Sequence, residues 1–106
     1  MKSYCFDIDG TLTEQHKDTP LKAVPRYERI AIVNKLYDEG AIIHLMTSRG
    51  MIKSEGNPQE AEKYMRLKTE EQLRNWGVKY HKLYFGKPRV DFYIDDRGIN
   101  DMDFFK

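Results

Sequence analysis

Apolar residues fall along this chain in two alternating rhythms. Short strand-like runs occur at Ser3–Asp7, 41–46, 78–83 and 90–95, the second of them nearly continuously apolar. Runs of this length read as strands, and a near-continuous apolar character suits a buried parallel strand. Between the first two runs, Tyr27, Ile30, Val33, Leu36 and Tyr37 recur at helical spacing, with Pro25 suited to the first helical position and Gly40 as a stop. Between the second and third, Asn57 reads as an N-cap, Pro58 as the first helical residue and Glu60 as its capping-box partner. Ala61, Tyr64, Met65, Lys68, Gln72, Leu73 and Trp76 then share one face that ends at Gly77, with Tyr64 and Trp76 read as core.

Strands alternating with helices predict an α/β fold: a three-layer, Rossmann-like core with a mostly parallel four-stranded sheet and right-handed crossovers. The expected organisation is one domain over residues 1–106 with no separate cap. The last connection strains this picture. Six residues separate Leu83 from Val90, and a parallel crossover normally takes about a dozen or more. A shorter third strand, a crossover without a helix, or a hairpin turning at 86–89 are the alternatives.

Composition narrows the function classes. With 40% hydrophobic and 33% charged residues, the chain reads as soluble and globular. A net charge of +1 supplies no long-range field toward nucleic acid or membrane, which argues against both as partners. The one cysteine, Cys5, lies in an apolar run and reads as a small buried hydrophobe. With no disulfide framework within the chain, a reducing, cytoplasmic location is expected. No run approaches the ~20 apolar residues of a membrane span, and the N-terminus shows no signal-peptide pattern.

The chemistry-bearing residues cluster at the ends of the expected strands. Asp7 and Asp9 close the first run, just before Gly10 and Thr11; Thr47, Ser48 and Arg49 close the second; Lys87 follows the third; Asp95 and Asp96 close the fourth. In parallel α/β sheets, ligands bind beyond the carboxyl ends of the strands. Like charges as close as Asp7 and Asp9 repel unless a cation intervenes, which points to a divalent ion with carboxylate ligands. A carboxylate nucleophile, a screening cation, an ammonium for phosphoryl oxygens and a second carboxyl as proton donor together suit hydrolysis of a phosphate monoester. Arg49 could clamp substrate beyond its phosphate, and Lys53 could line the same entrance.

The run Asp7-Ile8-Asp9-Gly10-Thr11, followed in order by Thr47, Lys87 and Asp95-Asp96, resembles the four motifs of the haloacid dehalogenase (HAD) superfamily, with every fixed position of its D-x-D-G-T motif matched. Gly86-Lys87-Pro88 and Tyr93-Ile94-Asp95-Asp96-Arg97 resemble small capless members associated with capsule or surface-sugar biosynthesis. The resemblance implies a Mg²⁺-dependent phosphatase acting on a small phosphorylated metabolite such as a sugar phosphate or nucleotide. It implies Asp7 as the nucleophile that becomes aspartyl-phosphate, Asp9 as general acid and then base, Thr47 on a phosphoryl oxygen, and Lys87 as the neutralising cation, with Lys79 as the alternative. Asp7, Asp9, Asp95 and Asp96 would hold Mg²⁺, while Gly10, Thr11, Ser48 and Arg49 would contact substrate. Two rivals are a polynucleotide 3′-phosphatase and a non-catalytic module that binds Mg²⁺ and a phosphorylated ligand. A neighbouring subunit of a homo-oligomer is open as a contributor to substrate selection.

Overall fold

The structure, a computed structural model, describes residues 1–17 and 19–106. Its elements run β1 Ser3–Asp7, a single π-type turn Ile8–Leu12, a 3-10 turn Pro20–Lys22, α1 Tyr27–Asp38, β2 Ile42–Thr47, α2 Pro58–Asn75, β3 Lys82–Phe85 and α3 Asp101–Phe104. The three strands are parallel in the order β1-β2-β3. The start of α2 follows the expected signals: the Asn57 carboxamide oxygen accepts from the N–H groups of Gln59 and Glu60, with Pro58 at the first helical position. Pro25 instead lies one residue outside the cap of α1, where it bridges to Thr13.

Register sorts the side chains by face. Phe6, Leu45 and Leu83 are paired across the sheet, as are Tyr4 with Ile43 and Thr47 with Phe85. Onto this face pack Ile30 and Val33 of α1, Leu73 of α2 and the rings of Phe104 and Phe105. Ile43, Leu45, Val33 and Leu73 are wholly buried, and truncating any one to alanine should cost about 2–5 kcal/mol. The opposite face, with Ser3, Cys5, Asp7, His44, Met46 and Tyr84, contributes nothing to this core. The expected three layers are therefore two. Three strands in consecutive order with right-handed crossovers bring both connecting helices to the same side. For the same reason Cys5 is exposed rather than buried, and His44 lies against Tyr84 with its Nδ1 lacking a hydrogen-bond partner.

The third strand begins at Lys82, not Val78, because residues 77 and 78 still close α2: Val78 N–H donates to Leu73 carbonyl oxygen, and the first link to β2 is His81 N–H on Ile43. The expected fourth strand at 90–95 does not form; these residues are exposed and unpaired in the sheet. Lys87 N–H donates to the carbonyl of Thr47, tethering the chain beside β2, and Pro88 then removes a donor that a hairpin ladder would need.

Candidate active site

The carboxyl end of the sheet carries the site. Asp7 ends β1 with its side chain on the open face. The chain then turns tightly, and Gly10 at φ 82° supplies the left-handed conformation that turn requires. This turn throws Asp9 to a different neighbourhood from Asp7, although their charges still repel.

Asp7 faces Lys87, whose Nζ is 3.5 Å from Oδ2, with side chains 30% and 23% exposed. Burial pushes the Asp7 carboxyl above its ordinary value, and the Lys87 ammonium only partly offsets this. The Tyr93 ring sits under the same ammonium, 4.3 Å from ring centre to Nζ. Lys79, the alternative cation, is committed elsewhere, 2.8 Å from Asp38.

Asp9 is gripped from two sides. Arg49 Nε donates to Oδ2 at 2.8 Å and Nη2 to Oδ1 at 2.9 Å, a two-pronged pairing of planar groups. His16 Nε2 lies 2.8 Å from Oδ1; Thr19 N–H donates to His16 Nδ1, which leaves the ring proton on Nε2. Burial pushes the Asp9 carboxyl up, but Arg49 and then His16 outweigh it and hold it below the ordinary range. Arg49 is itself buried, and its Nη1 donates to Gln72 Oε1 at 2.6 Å and Thr69 Oγ1 at 3.3 Å on α2. Gly50 permits this closeness: a Cβ there would meet the carbonyl oxygen of Ala61 at 2.9 Å. Arg49 thus spends its donors within the protein and holds Asp9, rather than standing free as the expected substrate clamp.

The other expected residues divide similarly. Thr47 is 1% exposed, and its hydroxyl accepts the Arg49 backbone N–H at 3.0 Å, so it shapes the loop. Gly10 N–H donates to Thr13, and the Thr11 carbonyl accepts from the buried Arg29. Asp9, Ser48 and Arg49 line a cavity of about 840 Å³ together with Lys53, Tyr64 and Lys68. Tyr64, expected in the core, is 45% exposed, and Lys53 Nζ lies 5.0 Å from its ring centre. Tyr64 and Lys68 are one helical turn apart, which aligns both along the cavity.

Asp95 and Asp96 stand apart. Asp95 Oδ1 accepts the N–H groups of Arg97 and Gly98, and Asp96 is exposed beside Arg97. Among the described residues, no group of three His, Cys, Asp or Glu side chains converges as a metal site requires. As arranged, the carboxylates do not fit a bound Mg²⁺: Asp7 has Lys87, both oxygens of Asp9 are engaged, and the second acidic pair is elsewhere.

Sequence reasoning missed His16, Thr69 and Gln72 as partners of this site. His16 sits in a polar loop with no periodic signal. Gln72 was placed on the correct helical face, but nothing in its spacing marks a hydrogen bond to Arg49.

No protein-family model matches the chain, and no curated protein matches it. Among solved structures, a protein from Vibrio cholerae superposes with a TM-score of 0.89 at 30% identity, over 99% of this chain and 88% of its own. The chain belongs to the same family as that Vibrio cholerae protein. A D,D-heptose 1,7-bisphosphate phosphatase from B. bronchiseptica, solved with magnesium and phosphate, superposes with a TM-score of 0.55 at 14% identity, over 80% of this chain and 49% of its own. That likeness is one of fold alone: an α/β core, here with three parallel strands. Among the described residues, no helix is long and apolar enough to cross a membrane.

Proposed function

We propose that the protein hydrolyses phosphate monoesters of small metabolites, with Asp7 as the nucleophile. The observation that carries this reading is the pairing of a half-buried carboxylate at a strand's carboxyl end with an ammonium 3.5 Å away, the two groups needed to attack a phosphoryl group and to neutralise it. The fold shared with a phosphatase solved with magnesium and phosphate supports the same reading.

In this reading Asp7 attacks phosphorus and the leaving oxygen departs from the opposite side. Asp9 enters as a carboxylate, the form required of a base that activates water against the aspartyl-phosphate. The proton for the leaving oxygen must first be taken up by Asp9 from solvent as substrate binds, and His16 Nε2, 2.8 Å from Oδ1, helps to hold the carboxyl in place. Arg49 fixes where that carboxylate points. The cavity beside Asp9 is of a size suited to a small-molecule leaving group. Tyr64 would stack on its body and the two lysines would favour a polar or anionic one. A panel of small phosphate esters, assayed with and without Mg²⁺ and repeated with Asp7→Asn, tests this. Phosphate release that Asp7→Asn retains would refute the nucleophile, and no release from any ester would refute the activity.

A further inference from the structure

Residues 90–95 are where pattern and placement disagree most. Val90, Phe92 and Ile94 alternate with Asp91, Tyr93 and Asp95, the period-two arrangement of a strand with one apolar face. Yet Phe92 is 81% and Ile94 95% exposed. Among the described residues, no backbone–backbone hydrogen bond joins 90–99 to another element. Both ends of the segment are nevertheless held. Lys87 is tethered to Thr47 and Asp7, and Asp101 accepts from Arg29 Nη1 at 2.6 Å while Phe104 packs 5.4 Å from Phe6. The stretch between is an arm that adds nothing to the core: Val90, Asp91 and Tyr93 border the cavity beside Asp9, and Phe92 and Ile94 are turned to solvent.

β1 carries the complementary defect. It is an edge of the sheet, and such an edge presents unpaired backbone groups that template another strand. Side-chain alternation fixes how the two would fit. With Asp95 beside Asp7 in a parallel pair, Phe92 and Ile94 fall beside Tyr4 and Phe6 on the core face, and Tyr93 falls beside Cys5 on the open face. A slip by one residue would turn every apolar side chain outward. The register that brings the second acidic pair to the first is thus one that also buries the apolar face.

We propose that residues 90–95 pair with β1 of a second copy of this chain, and that Asp95 and Asp96 complete the Asp7 site of that copy. Lys87 is fixed at the carboxyl end of the sheet, beside Thr47 and Asp7, whereas a parallel strand on the chain's own β1 would start at its amino end with Val90 beside Lys2; the two residues between Lys87 and Val90 cannot run back that length of about 17 Å, and both ends of the arm are pinned. A second copy offers the same edge without either constraint, and a two-fold axis makes the exchange reciprocal. Aromatic and large aliphatic side chains bury about 150–250 Å² each at most, so the exposed apolar residues of two arms remove on the order of 1,000 Å², the size a specific interface needs.

The proposal rests on the phosphatase reading only for its activity arm. Light scattering on the full chain at micromolar concentration should give the mass of a dimer. Tyr93→Cys, placed one strand spacing of about 4.8 Å from native Cys5, should oxidise to a disulfide linking two chains. Mixing Asp7→Asn with the double variant Asp95→Asn/Asp96→Asn, each at about a hundredth of wild-type turnover or less alone, should restore about a quarter of wild-type turnover, because half the dimers are mixed and each carries one intact site. A monomeric mass, a disulfide closed within one chain, or no recovery on mixing overturns the proposal. If the wild type turns over no ester, the phosphatase reading falls, and the mass and the disulfide still decide this one.

Discussion

The two acidic pairs look equivalent in the sequence and are opposites in the structure. Asp7 and Asp9 are built into the protein: one is half-buried against Lys87, the other is gripped by Arg49 and His16, and Arg49 is anchored to α2. Asp95 and Asp96 sit in an exposed turn whose only hydrogen bonds, among the described residues, are local N–H groups on Asp95. A pair at a strand end becomes a site only if neighbouring elements can reach it. The first pair is reached by β2's loop, α2 and the polar loop after β1. Among the described residues, the second is met only by Arg97 and Gly98 of its own turn.

Breaking the first pair should have the largest effect. Asp7→Asn should lower kcat by about 10⁴-fold or more, the scale of losing a nucleophile. It should also raise stability near neutral pH. Because the folded protein holds the Asp7 carboxyl above its unfolded value, its stabilising contribution is present at low pH and lost as pH rises, so removing the charge relieves a cost. A thermal melt showing a lower Tm for Asp7→Asn would contradict this. Asp95→Asn/Asp96→Asn should lower turnover about 100-fold, the upper range for groups that support a reacting centre, while shifting stability by less than about 0.5 kcal/mol. Full activity in that variant would make the second pair a solvated turn and nothing more.

Arg49→Met sharpens the contrast from the other side. Leaving Asp9 without its cation should cost about 2–4 kcal/mol in chemical denaturation, discounted from a fully buried pair because Asp9 is 23% exposed. The same pairing sets a pH limit. The folded carboxyl of Asp9 lies below its unfolded value, so the stability it brings is present above the unfolded value of 3.8 and lost as pH falls through the folded one. The acid limb of a pH–stability curve should therefore shrink in Asp9→Asn. The smallest effect is expected at the cavity wall: Lys53→Gln/Lys68→Gln should raise KM for an anionic sugar phosphate about three- to tenfold with little change in kcat.

Much of this arrangement was legible beforehand where local chemistry decides it. The strands at Ser3–Asp7 and Ile42–Thr47, both helices and the Asn57 cap follow from periodicity and capping. Asp7 and Lys87 were named for one site and the structure places them together. Other features depended on contacts between distant segments. Arg49 was read as facing substrate because nothing in its spacing shows that Asp9, Thr69 and Gln72 would use up its donors. Tyr64 was read as core because helical spacing identifies a face without saying whether a neighbour covers it. The strand at 90–95 was read from its own alternation, which is real, but a strand also needs an edge within reach, and reach is set by the tether at Lys87.

Gly50 carries a consequence of its own. Its missing side chain lets the loop after β2 lie against the backbone of Ala61 in the first turn of α2. Any larger residue would wedge loop and helix apart and move Gln72 and Thr69 away from the guanidinium they steady. A substitution far from any reacting atom would then misaim the Asp9 carboxylate, so the tolerance of this protein to drift in its sequence should be narrowest at a position that bears no functional group at all.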